Sequence, residues 1–244
     1  MSGDANGSLI PGAVNFRDTG GLPAHGGTTR PGVLYRSGNL AHLERDGVDA
    51  LRALGVRRII DLRADEEVRH APSRVDGIDL ETVRVPLFLG SVASFFERDT
   101  SLAEMYRAMV DDSAARVIEV IRGMLAEQPV LVHCTVGKDR TGVTVALALA
   151  AAGVDEEAVI ADYARTEGML PEGRNRDIVR MLSSLHPEAV NLEELATRSP
   201  AQVMRELLAY LTEQYGSPTA YLQAHGLTDA ELERLREVLV ADDA

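Results

Sequence analysis

The chain has 244 residues, of which 45% are hydrophobic and 26% charged, with a formal net charge of −13 and an isoelectric point near 4.9. That is enough chain for one sizeable core, and a single domain over 1–244 is the expectation. One cysteine excludes an internal disulfide and any multi-cysteine metal site, and the acidic balance disfavours nucleic acid and anionic membrane as partners.

Residues 1 to about 12 are expected to be disordered. The opening Met1–Gly7 lacks the charged and apolar regions of a signal peptide, so a cytoplasmic location is the default, with export by an uncleaved route left open. Asn15-Phe16-Arg17-Asp18-Thr19-Gly20-Gly21 leads into a glycine-rich turn through Gly27, and Gly32 to Gly38 reads as a short strand. Leu40, Leu43, Val48, Leu51 and Leu54 line one face of a helix that Gly55 ends. Val56 to Leu62 is a buried strand closing on Asp61-Leu62-Arg63, and Glu81 to Pro86 is another that leads into a long apolar loop. Ser101-x-x-Glu104 is a capping box opening a helix through Val110. A second helix runs from about Ser113 to Ala126, with Val117, Val120, Ile121, Met124 and Leu125 on its apolar face.

Pro129 resets the chain before Val130-Leu131-Val132-His133, a buried strand. A loop from Cys134 to Arg140 follows, then a nearly all-apolar helix from Thr141 to Ala152, central and too short to span a membrane. Gly153 ends that helix, and Asp155 caps the next one, through Arg165. Residues 168 to 199 are less regular, with Arg174, Arg176 and Arg180 on a helix. Ser199-Pro200 opens a long helix to about Tyr215, and Thr228-x-x-Glu231 caps a terminal one carrying Leu232, Leu235, Val238 and Leu239. The alternation argues for an α/β fold: a mixed central sheet of four to five strands flanked by helices, with a helical C-terminal part.

The loop carries the chemistry. Cys134 is the sole cysteine and Lys138 the sole lysine, so one thiol, one ammonium, the Arg140 guanidinium and the Asp139 carboxylate share a turn. The following helix N-terminus, Lys138 and Arg140 all favour a thiolate at Cys134. The backbone of Thr135, Val136, Gly137, Lys138 and Asp139 can form a nest of N–H groups for phosphate oxygens, with Gly137 letting the chain turn inward. Arg140 can grip two phosphate oxygens through its planar fork. His133 is expected to orient the loop, and the Thr141 hydroxyl to bond the sulfur. Asp61 and Arg63 end a strand, where α/β folds place functional groups. Gly137-Lys138 is not part of a nucleotide-binding loop, which needs glycine at the position of Val132 and Ser or Thr at that of Asp139.

His133-Cys134-x5-Arg140-Thr141 resembles the signature of cysteine-dependent protein tyrosine phosphatases. The longer His-Cys-x-x-Gly-Lys-Asp-Arg-Thr-Gly resembles their bacterial tyrosine/serine branch. Asn15-Phe16-Arg17-Asp18, Tyr35-Arg36-Ser37-Gly38 and Ile60-Asp61-Leu62-Arg63 extend the similarity over roughly residues 14 to 165. The resemblance implies a phosphocysteine intermediate without metal or other cofactor, Asp139 as the general acid, and Lys138 in contact with substrate phosphate. It implies a phosphorylated protein as substrate, with phosphoinositides open, and a helical lid for which 168–199 is the candidate. Asn15, Arg17 and Asp18 read as structural, fixing turns near the site. The alternative from another class is a non-catalytic phosphate-binding module.

Overall fold

The computed structural model describes residues 9–87 and 99–242. In chain order its elements begin with β1 (Arg17–Asp18), β2 (Pro23–Ala24), β3 (Gly27–Thr29), β4 (Leu34–Ser37), α1 (Arg45–Ala53), β5 (Arg58–Asp61), α2 (Asp65–His70) and β6 (Glu81–Arg84). There follow α3 (Leu102–Asp112), α4 (Ala114–Ala126), β7 (Val130–His133), α5 (Arg140–Ala151), α6 (Glu156–Met169), α7 (Glu172–Leu185), α8 (Leu192–Thr197), α9 (Ala201–Tyr215), α10 (Pro218–Ala224), α11 (Asp229–Leu239) and β8 (Val240–Asp242). The apolar run expected as a loop after Pro86 lies outside the described residues from 88 to 98.

The main sheet has five strands in the order β1-β4-β7-β5-β6. β1 is antiparallel to β4, and the other neighbours are parallel. The middles of the central strands, Leu34-Tyr35, Ile59-Ile60 and Val130-Leu131-Val132, are apolar because both faces are covered. Tyr35, Leu131 and Ile59 sit in register and pack with Phe16, Leu40, Leu43 and Leu51 on the α1 side. Leu34, Val130, Val132 and Ile60 pack into the larger core formed by α3 to α6 and α9 to α11. Ser37, His133 and Asp61 form one row at the C-terminal edge, so the three following loops leave the sheet together.

α5 is the central helix, buried from Arg140 through Leu149. The Ser101–Glu104 capping box is present at α3. Asp155 is the N-cap residue of α6 but makes no side-chain capping bond, and that helix continues to Met169, past the expected Arg165. Ile10 is buried in the α1-side core, so the chain is anchored earlier than the expected end of disorder at about residue 12. The glycine-rich turn is more than a turn: β2 and β3 form a hairpin, and β8 adds to β3, tying Thr29 to Val240. In the 168–199 segment, α7 buries only Leu182, which packs with Leu192 and Ala196 of α8 in a small separate cluster. Among the described residues no helix is long and apolar enough to cross a membrane.

Leu131 is fully buried in the middle strand. Leu131→Ala should lower the unfolding free energy by about 3 kcal/mol through lost burial and the cavity left behind. Urea titration with unchanged slope checks this; a loss below about 1 kcal/mol would show a site that collapses easily.

Candidate active site

Cys134 follows β7 directly and is 3% exposed. The Gly137 amide donates to Cys134 Sγ at 3.2 Å. Gly137 adopts φ +74°, and a Cβ there would lie 2.4 Å from the Ser37 carbonyl carbon, so only glycine fits. The Gly137 carbonyl accepts from Asn15 Nδ2 and from Arg36 Nη2, both at 2.9 Å. The Thr135 carbonyl accepts from the Asn39 amide and from Asn39 Nδ2, both at 3.0 Å. Neighbouring elements thus claim the loop's carbonyls, and the Gly137 N–H faces sulfur.

Beneath the loop, Asp162 of α6 holds two arginines, with Arg17 Nε at 2.8 Å and Arg36 Nη1 at 2.7 Å. Burial alone would raise the Asp162 carboxyl, but Arg36 and Arg17 outweigh it and hold it at about 2. Burial, then the neighbouring Arg36, brings Arg17 down to about 10. Asn15 Oδ1 accepts from Arg17 Nη1, so Asn15 and Arg17 do fix the turn beside the loop.

Arg140 opens α5 and donates through both terminal nitrogens to Glu67, at 2.6 and 2.7 Å. The Thr135 hydroxyl donates to the same carboxylate. Burial works against the Glu67 charge, but Arg140 overcomes it and brings the carboxyl down to about 2. Glu67 was not among the sequence candidates. The signal was the acidic turn Asp65-Glu66-Glu67 straight after the strand end, but nothing local selects which of the three turns inward. Glu67 also accepts from the Ala64 amide at 2.9 Å, which fixes the start of α2.

Asp61 and Arg63 form a closed two-point pair at 2.9 and 2.8 Å. Arg63 also holds the Ala71 carbonyl at 2.7 Å and Ser73 Oγ at 3.0 Å, so this pair pins both ends of α2 and thereby Glu67. His133 Nε2 lies 3.7 Å from Asp61 Oδ2, and Nδ1 lies 3.3 Å from the Cys134 carbonyl. Burial lowers the imidazole to about 4, leaving it neutral near pH 7. Thr141 corrects one expectation: wound into the first turn of α5, its buried hydroxyl has no hydrogen-bond partner among the described residues, the sulfur included.

Lys138 is 1% exposed and donates to Asp139 Oδ1 at 2.6 Å. The Tyr106 hydroxyl donates to the same oxygen at 2.8 Å. The structure therefore brings Cys134, Thr135, Gly137, Lys138, Asp139 and Arg140 into one turn, with Asp61 and Arg63 in support through α2. Arg174 on α7 is half-buried, and Asp139 is the charge it feels.

The chain matches the tyrosine phosphatase family over residues 9–241. It belongs to that family. It is 34% identical to the triple specificity protein phosphatase PtpB of Mycobacterium tuberculosis, over 95% of this chain and 98% of that protein. It is 30% identical to a tyrosine-protein phosphatase of Nostoc commune, over 97% of this chain and 83% of that one. Among solved structures, the core catalytic domain of the PP-IP phosphatase SIW14 from S. cerevisiae aligns with a TM-score of 0.40 and 13% identity, covering 84% of this chain and 95% of that chain. TpbA of P. aeruginosa also aligns at 0.40, with 20% identity, covering 75% of this chain and 89% of that chain.

Glu67 gives a signed pH prediction. Its folded carboxyl is lowered to about 2 from an ordinary 4.5, so its stabilisation is complete above about pH 5 and fades as pH falls toward 2. Glu67→Gln should be less stable than wild type at pH 7, with the gap narrowing below pH 5. Urea unfolding of both proteins from pH 7 to pH 3 reads this, and a constant gap would contradict it.

Proposed function

We propose that this phosphatase hydrolyses phosphomonoesters through a phosphocysteine, acting on phosphotyrosine and also on phosphoserine and phosphothreonine in proteins. The observation that carries this is the single turn that gives Cys134 Sγ an amide donor and also carries Asp139 and Arg140. The name of the M. tuberculosis relative supports a substrate range wider than tyrosine.

In this reading Arg140 and the loop amides hold the three non-bridging oxygens of the phosphoryl group. Cys134 Sγ attacks phosphorus in line: the S–P bond forms, the P–O bond to the leaving group breaks, and Asp139 gives its proton to the departing oxygen. Water then attacks phosphorus, Asp139 takes a proton from it, and the S–P bond breaks to release inorganic phosphate and the thiolate. Lys138 supplies positive charge beside the aspartate, and Glu67, with the Leu62 carbonyl and the Thr135 hydroxyl, fixes the guanidinium plane of Arg140 so that its Nε–H is aimed without a search. The reactive thiol fits a reducing compartment such as the cytoplasm.

Cys134→Ser should abolish turnover of p-nitrophenyl phosphate while vanadate still binds. Retained turnover would remove the covalent mechanism, and lost vanadate binding would show that the loop had collapsed. Asp139→Asn should slow phenyl phosphate by ~10²-fold or more, and p-nitrophenyl phosphate, whose leaving group needs little protonation, far less. Equal slowing of both would remove Asp139 as the acid. A panel of phosphopeptides against phosphoinositides separates the protein reading from the lipid one.

A further inference from the structure

We infer that Tyr106 is a positioning residue for the reaction: with Lys138 it occupies one carboxylate oxygen of Asp139, Oδ1, and so confines the transferable proton to the other, Oδ2. This rests on the reading of Asp139 as the general acid and goes beyond it, because that reading does not say which oxygen works or what aims it.

A tyrosine hydroxyl has one proton to give, and an ammonium has no acceptor capacity. Tyr106 spends its proton on Asp139 Oδ1 at 2.8 Å, and Lys138 Nζ donates to the same atom at 2.6 Å. No donor among the described residues reaches Oδ2. An acid proton on Oδ1 would face two donors already pointing at it, whereas one on Oδ2 meets none.

The aim of Tyr106 is itself set. Its hydroxyl lies 2.9 Å from that of Tyr163, and since the Tyr106 proton goes to Asp139, Tyr163 must be the donor in this pair. The order is Tyr163 to Tyr106 to Asp139. The two rings meet edge to face at 6.0 Å and are fully buried, so neither phenol has room to turn away. Burial first, and the Asp139 charge second, push both phenols upward, so both stay protonated and remain donors at any pH of interest. The close approach of Tyr163 also explains Gly142, where a Cβ would lie 3.1 Å from the Tyr163 ring.

The test is a leaving-group ratio, kcat for p-nitrophenyl phosphate over kcat for phenyl phosphate, measured for wild type, Tyr106→Phe, Asp139→Asn and the double variant. A merely structural effect of Tyr106→Phe slows both substrates and leaves the ratio alone. We expect Tyr106→Phe to raise the ratio about tenfold, the loss of one hydrogen bond to a charged group. The double variant should show the ratio of Asp139→Asn alone, since Tyr106 acts only through that carboxylate. An unchanged ratio in Tyr106→Phe overturns the inference, as does a double variant whose ratio multiplies the two single effects. If Asp139→Asn itself leaves the ratio flat, the acid assignment falls and takes the inference with it. Tyr163→Phe, which spares the bond from Tyr106 to Asp139, should move the ratio the same way by less; a larger shift than that of Tyr106→Phe would refute the order of the chain.

Discussion

The outward pull on one carbonyl organises this site. Arg36 and Asn15 both hold the oxygen of Gly137, and a peptide unit whose oxygen is fixed on one side must present the amide it shares with Lys138 on the other. Gly137 can comply because it has no Cβ to strike Ser37. Arg36 can hold that oxygen only if its own buried charge is met, and Asp162 meets it. Arg17 shares the same carboxylate, so two guanidiniums rest on one acid under the loop. A unit of positive charge ~6 Å from an anion, at an effective dielectric of ~20, is worth ~3 kcal/mol. The brace that shapes the loop therefore also favours an anion at the loop.

This local sign runs against the molecule as a whole. The chain carries a net −13, which repels a phosphorylated partner at long range. Screening limits that repulsion to a Debye length of ~8 Å at physiological salt. At the loop Arg17, Arg36, Lys138 and Arg140 are four cations, and the carboxylates that pair with them are three: Asp162, Asp139 and Glu67. The balance there is positive although the surface is not. Capture is thus a contact event at the loop, with little help from steering, and the geometry of Arg140 matters more than its charge. That is the role left for Glu67, which grips the guanidinium at two points and is itself fixed by the start of α2.

The frame of the fold was legible because its signals are local. Val130 to Val132 and Ile59 to Ile60 are apolar runs bounded by proline or charge, as doubly covered parallel strands must be. The loop and α5 could be read because their groups lie within nine consecutive residues, 134 to 142. What was not legible is carried by contacts across the chain. Tyr106 and Tyr163 sit in apolar helical stripes and read as core; only packing α3 against α6 brings their hydroxyls together over Asp139. Arg36 stood out only as part of the Tyr35-Arg36-Ser37-Gly38 resemblance, with no partner legible, and Asp162 lies in an unremarkable position of a helix. The small sheet pairs Gly27 with Asp242, a link with no sequence signal, in strands of two and three residues. Thr141 misled through mere adjacency: being next to Arg140 in sequence says little about which way a hydroxyl points once both are wound into a helix.

The lone lysine now has a physical reason. Every other basic residue in the chain is arginine, and two arginines near the site each take both oxygens of one carboxylate: Arg63 on Asp61 and Arg140 on Glu67. That fork suits a carboxylate whose task is to hold still. On Asp139 it would be self-defeating, because a carboxylate gripped at both oxygens has none left for a proton. An ammonium is a point donor. At Lys138 it meets the aspartate through Oδ1 alone, is buried at 1% exposure, and on the proposed reading leaves Oδ2 for the transferable proton. On the proposed reading, the departure from arginine at this one position follows from asking a single carboxylate to be anchored and reactive at once.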